Sequence, residues 1–152
     1  MKIRCPNRIN ISTNRNPGET SEQHIERIYG MFLPLIKTAL TYKMRNKKIT
    51  IPDYGEPDFY KAFFYHLIHY DLKTKKFNYQ RLVTCCLLPS MIINKCDGNC
   101  EHLFEKESKT KKKRKTLFCE AHGFVIAFEE RKGSFYIYSA YHIDGKEYTK
   151  YK

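Results

Sequence analysis

His122-Gly-Phe-Val-Ile-Ala-Phe-Glu-Glu130, the turn Arg131-Lys-Gly-Ser134 and Phe135-Tyr-Ile-Tyr-Ser-Ala-Tyr-His-Ile143 decide how this chain is read. β-branched and aromatic residues fill both flanks, and the short glycine-containing link between them is the chemistry of a hairpin. The pattern predicts two long antiparallel strands. Residues two apart on a strand project to the same face, so Ser139 and Tyr141 place two hydroxyls side by side on the second strand.

The segments before the hairpin extend the sheet. Thr116 to Glu120 opens another strand, which His122 to Glu129 continues or follows after a bulge at Gly123, and Glu101 to Glu107 forms one more. Between them Ser108 to Lys115 is a lysine-rich solvated loop. Lys146 to Lys152 forms a short tail able to add an edge strand.

Further upstream the apolar period becomes helical. Thr20 opens a helix, with Gln23 three residues on as a capping box. Ile25, Ile28, Tyr29, Phe32, Leu35, Ile36 and Leu40 share one stripe, and Pro34 predicts a kink midway. The helix ends near Lys43, and Ile49 to Pro57 reads as a connection. A second helix runs from about Pro57 to Tyr70. A third starts at the N-cap Asn78 and stops before Pro89, followed by Met91-Ile-Ile93 as a short strand or extended segment. Residues 1–19 read as loop or a short strand. Helices followed by an antiparallel sheet make an α+β layout: N-terminal helices packed on a C-terminal sheet of about four strands, with 1–50 as a helical extension and 51–152 as the core.

Lys and Arg number 28 against 16 Asp and Glu, a net charge of +12 that favours nucleic acid, an anionic surface or an acidic protein as partner. Tyr (12) and Phe (10) are abundant, and Tyr serves both as core filler and as a stacking surface for bases. No window reaches the ~18 apolar residues of a membrane span. Met1-Lys-Ile-Arg-Cys-Pro-Asn-Arg8 has no apolar signal core, so no membrane role and a cytoplasmic location are expected. Six cysteines then read as thiols or metal ligands rather than as a disulfide framework.

Four constellations carry chemistry. His66 and His69 share a face of the second helix. A histidine titrating near neutrality suits a general base acting on a ribose 2′-hydroxyl; the alternative is two ordinary surface histidines. Ser139 and Tyr141 suit donors to the non-bridging oxygens of a phosphate, or are simple strand alternation. Lys106 and the run Lys109-Thr-Lys-Lys-Lys-Arg-Lys115 gather cations for phosphate contacts, chiefly Lys111, Lys112, Lys113, Arg114 and Lys115, or else solubilise a loop. Cys96 and Cys100, with Cys119 and His122, have the donor types of a tetrahedral structural zinc site; thiols at strand ends are the other reading.

The order of these pieces resembles the barnase–EndoU–colicin–RelE-like (BECR) superfamily of small ribonucleases, in its phage and polymorphic-toxin branches. A histidine-bearing helix is followed by a helix ending in Leu87-Leu-Pro-Ser90, a basic β segment, Phe124-Val-Ile-Ala-Phe128 and Tyr138-Ser-Ala-Tyr141. In that family the last core strand often reads Thr-Ala-Tyr, and Ser139 keeps the hydroxyl. The resemblance covers about residues 58–145. It implies a toxin-like endoribonuclease that needs no metal cofactor and cleaves RNA, with tRNA as a plausible class, by transesterification. His66 or His69 would be general base or acid, Lys106 or a cation of 109–115 would contact phosphate, and Ser139 and Tyr141 would line the scissile group. An acidic immunity or antitoxin protein is the implied partner. The rival classes are a non-catalytic nucleic-acid-binding module, with zinc as a structural option, and an interaction protein that binds an acidic partner through the lysine run.

Overall fold

The computed structural model describes residues 13–96, 100–111 and 113–152. The expectation for the first twelve residues, the centre of the Cys96–Cys100 turn and Lys112 lie outside the described residues.

The decisive hairpin forms as two strands, β5 (Phe124–Arg131) and β6 (Ser134–His142), turned through Lys132 and Gly133, whose φ of 82° suits glycine. β4 (Lys115–Cys119) pairs antiparallel with β5, and β3 (Leu103–Glu107) antiparallel with β4. Residues Glu120 to Gly123 reverse the chain, so the two apolar runs around Gly123 are separate strands. Gly123 has φ of 59°, and a Cβ there would stand 2.7 Å from the Tyr148 hydroxyl, which only glycine accommodates.

The sheet is α+β in class, as the sequence predicts, but it is larger and mixed. It holds six strands in the order β1-β2-β6-β5-β4-β3, where β1 is Lys43–Met44 and β2 is Lys47–Thr50. β2 runs parallel to β6, so an all-antiparallel sheet of about four strands is corrected. Arg45 and Asn46, at φ 51° and 62°, close β1 onto β2. Two consecutive left-handed residues are the mark of a tight hairpin turn. The usual Asn-Gly signal for such a turn is missing here, so the sequence does not announce this hairpin.

Helices cover one face. The first, α1 (Ser21–Ala39), keeps the predicted capping box: Thr20 Oγ1 accepts from Gln23 N at 3.1 Å, and Gln23 Oε1 from Thr20 N at 2.9 Å. It continues through Pro34 without a break, because Pro34 and Gly30 both lie on the exposed side, where water can satisfy the freed carbonyl. α2 (Phe59–Ile68) is capped by Asp58 and ends at His69 in the left-handed conformation, so Pro57 stands just before the helix. α3 (Tyr79–Thr84) is capped by Asn78. The expected strand at Met91 is instead part of α4 (Leu87–Ile93); Pro89 falls in its first turn, where its missing N–H costs no hydrogen bond. The C-terminal tail is a 3-10 turn followed by α5 (Tyr148–Tyr151), not an edge strand.

One apolar cluster joins Ile25, Ile28, Phe32 and Ile36 of α1 to Phe63, Phe64, Leu67, Phe124, Ile126, Phe128 and Ile137, so the helical segment before residue 50 and the sheet share a core. On the opposite face, register aligns Phe104, Phe118, Val125 and Tyr141 across four strands. Tyr148 and Tyr151 of α5 cover this row, with Tyr148 edge-on to Phe118 at 5.0 Å. No helix among the described residues is long and apolar enough to cross a membrane.

Candidate active site

The site is set by a defect in the β5–β6 ladder. Ala127 faces Ser139 and Phe128 faces Ile137, so Tyr138 is an extra residue on β6. Such a bulge withdraws one residue from regular pairing and re-aims what surrounds it. β2 pairs with β6 only over Ser134 to Tyr136, so from Ile137 onward no strand occupies that side of β6 among the described residues. α2 and α3 approach there.

His66 bridges to this edge. It has a backbone hydrogen bond with Tyr138, of the kind that favours the protonated ring, so a ring N–H donates to the carbonyl. Loss of water around the imidazole outweighs that bond and lowers the pKa below its usual value, with nearby Arg81 adding to the fall. His69 is shifted in the same direction, first by partial burial and then by Arg81 and His66. Both rings are therefore neutral at pH 7, as a general base requires.

Arg81 is the residue that connects the two layers. Its guanidinium lies 4.9 Å over the Tyr141 ring, and its Nη1 donates to the Leu67 carbonyl of α2 at 3.3 Å. It is partly buried and has no carboxylate partner among the described residues; burial lowers its pKa, opposed by the Tyr141 and Tyr151 hydroxyls. A desolvated cation without an anion is held at a cost unless an anionic ligand completes it. Sequence reading missed Arg81 because it belongs to none of the basic runs. The available signal was its place three residues after Asn78, whose Oδ1 accepts from Arg81 N at 3.0 Å.

Ser139 and Tyr141 do share a face, as their spacing predicts: Ser139 lies opposite Ala127 and Tyr141 opposite Val125. That face is the one away from α2. The hydroxyls and the histidines thus approach each other around the open edge of β6, with Arg81 between them, rather than across a single groove. The Tyr141 hydroxyl lies 3.1 Å from that of Tyr151, and burial, reinforced by this bond, raises its pKa, so it keeps its proton. Ser139 carries no described side-chain hydrogen bond; it continues a register row through Ala127 and Thr116 to Lys106.

The basic residues divide. Arg114 stacks on the Tyr138 ring at 4.0 Å, bringing one end of the lysine run to the bulge whose backbone holds His66. Lys111 and Lys113 are exposed. Lys106 Nζ donates to the Lys150 carbonyl at 2.8 Å, and Lys115 lies 3.8 Å from Glu105, so these two have local partners.

No protein-family model, curated protein or solved structure matches this chain.

The cysteine set forms a separate feature beside β3 and β4. Cys119 Sγ lies 3.1 Å from His122 Nδ1, and the His102 N–H points to Cys100 Sγ at 3.5 Å. No group of three or more His, Cys, Asp or Glu side chains placed to hold a metal ion occurs among the described residues.

Proposed function

We propose that the protein is a metal-independent endoribonuclease, toxin-like in kind, whose reacting phosphate lies at Arg81 on the open edge of β6. The observation that carries this reading is Arg81 itself, a partly buried guanidinium 4.9 Å over the Tyr141 ring, with no carboxylate partner among the described residues and beside two neutral histidines. Guanidinium groups bind phosphate oxygens in bidentate fashion and stabilise the charge that grows on them.

In this mechanism His66 takes the proton of the ribose 2′-hydroxyl, and the 2′-oxygen attacks its own phosphorus. Arg81 holds the non-bridging oxygens. The bond from phosphorus to the 5′-oxygen breaks, the leaving oxygen takes the proton of the Tyr141 hydroxyl, and solvent restores it. The products are a 2′,3′-cyclic phosphate and a 5′-hydroxyl. His69 supports His66 from the end of α2, and Arg114, Lys111 and Lys113 draw the RNA backbone toward the bulge. Structured RNA such as tRNA is the substrate class suggested by the resemblance to small toxin ribonucleases, and an acidic inhibitor protein is the partner that would match the basic face.

Incubating the purified protein with total tRNA, with and without EDTA, tests the reading. Cleavage should survive chelation and fall sharply in His66→Ala, Arg81→Gln and Tyr141→Phe. No cleavage by the wild type, or equal cleavage by the three variants, overturns it. A second reading, a non-catalytic nucleic-acid-binding module stabilised by zinc, draws on the Cys119–His122 approach. It predicts about one zinc per chain and unfolding on chelation.

A further inference from the structure

The histidines look two ways. Besides neighbouring Arg81 they line a cleft of about 600 Å³, together with Tyr54, Tyr65, Tyr70, Leu72 and the carboxylates Glu56 and Asp58. That size is within the ~300–1,000 Å³ of small-ligand sites. The lining is aromatic rather than aliphatic. The Tyr54 ring lies 5.2 Å from that of His66, and Tyr65 and Tyr70 stack at 4.5 Å with 22° between their planes. Tyr54 (42 % exposed) and Leu72 (71 % exposed) are two of the three large apolar residues left open among the described residues, and both line this one cleft. Surface apolar groups gathered in one concavity mark a binding site.

We propose that this cleft receives an unpaired nucleobase of an RNA strand whose neighbouring phosphate is held at Arg81; the inference rests on the ribonuclease reading and names its substrate as single-stranded or extruded RNA. His66 is common to the cleft and to the Arg81 cluster, so a base and a phosphate of one strand would share it. Flat aromatic walls match the faces of any base, whereas an aliphatic peptide anchor would favour an aliphatic lining. The net charge of +12 favours a polyanion for the molecule as a whole, but in the cleft Lys61 is paired with Glu26 at 3.2 Å and Glu56 and Asp58 add carboxylates, so the uncharged base enters here and its phosphate stays at Arg81. A base inside a regular duplex cannot enter; it must be unstacked first.

The experiment uses an uncleavable 2′-O-methyl oligoribonucleotide, single-stranded, and a probe of equal length with abasic positions. Both carry the same phosphates. The wild-type chain should bind the base-bearing strand about tenfold more tightly than the abasic one, in line with the stacking contribution of one base. Tyr54→Ala and Leu72→Ala alter exposed side chains without changing charge and should remove most of this preference while leaving binding of the abasic probe unchanged. Equal affinity of the wild type for the two probes overturns the inference, as does a preference untouched by both variants. The two readings fail separately. A base preference lost in Tyr54→Ala, without tRNA cleavage, upholds the cleft and ends the ribonuclease reading. His66-dependent cleavage without a base preference does the reverse.

Discussion

Arg81 carries the largest share of the proposed chemistry of any single residue. Its replacement by glutamine should leave the fold intact, since the amide can still donate to the Leu67 carbonyl and no ion pair is broken among the described residues, and should lower tRNA cleavage by about 10²-fold or more, the usual loss when a preorganised donor to a developing charge is removed. Arg81→Lys should recover little, because an ammonium cannot present the planar pair of donors that grips two phosphate oxygens. Cleavage rates under single-turnover conditions, alongside thermal unfolding, separate this from misfolding; wild-type rates in Arg81→Gln would remove the guanidinium from the chemistry. His66 adds a pH signature. Its folded-state pKa is lowered, so cleavage should rise with pH along a limb whose midpoint is below 6.5, then level off near neutrality. The limb should vanish in His66→Ala. The same shift has a sign for stability. The unfolded chain takes up the proton more readily, so the stabilisation is present above the unfolded pKa and is lost as pH falls through the folded one.

At the scale of elements, the six-residue helix α3 has the most demanding task. A helix this short is not stable alone, and it is pinned from three sides. Asn78 caps it, the Thr13 hydroxyl donates to the Val83 carbonyl, and Tyr79 accepts from Arg15 N at 3.4 Å. The N-terminal segment therefore helps to aim Arg81. Asn78→Ala should cost about 1 kcal/mol of stability and depress cleavage further than that loss implies, because it frees the N–H of Arg81 itself. Asn78→Asp, which keeps the acceptor, should restore both. Chemical denaturation and cleavage measured on the same samples check this, and a variant that loses stability without losing activity would separate the cap from the site. Elements carrying their own local signal were legible in the sequence: the β5–β6 hairpin, the Thr20 capping box and the Asn78 cap. β1 and β2 were not, since a two-strand ribbon closed by Arg45 and Asn46 is specified by its parallel docking on β6, a contact 86 residues away in the Lys48–Ser134 pair. The bulge at Tyr138 was equally hidden, because Phe135, Ile137 and Tyr141 alternate as though the strand were regular; only pairing with β5 exposes the extra residue. Ser139 and Tyr141 share a face as their spacing implies, whereas His69 stands on the left-handed cap after α2 rather than on the helix; the relation of the two groups depended on Arg81, which a scan for charge runs passes over.

At the scale of the whole molecule, the sheet curls until its far edges meet at one side chain. Arg45, in the turn between β1 and β2, lies 2.6 Å from Glu130 of β5 and 2.5 Å from Glu105 of β3, with its guanidinium over the Phe128 ring at 5.5 Å. That closure commits Arg45 to structure and leaves phosphate contacts to the cations around Tyr138. A net charge of +12 favours any polyanion at low salt, so the quantity that tests the proposed RNA path is how affinity falls with salt. On the proposed RNA path Arg81, Arg114, Lys111 and Lys113 would make roughly four contacts to a single strand; at ~0.7 released ions for each, the slope of log affinity against log salt should be about −3. Among the described cations of the basic loop, Arg114 is the one stacked on the bulge residue, 4.0 Å over Tyr138. Arg114→Ala should therefore flatten the slope by about 0.7 and weaken uncleavable single strands of different sequence to the same degree, since a phosphate contact carries no sequence information. Fluorescence anisotropy across a salt series measures both effects. A slope that stays near −3 in Arg114→Ala would place the strand elsewhere on the basic surface; a flattened slope joined to slower tRNA cleavage would run one RNA path from the basic loop, over Tyr138, to Arg81.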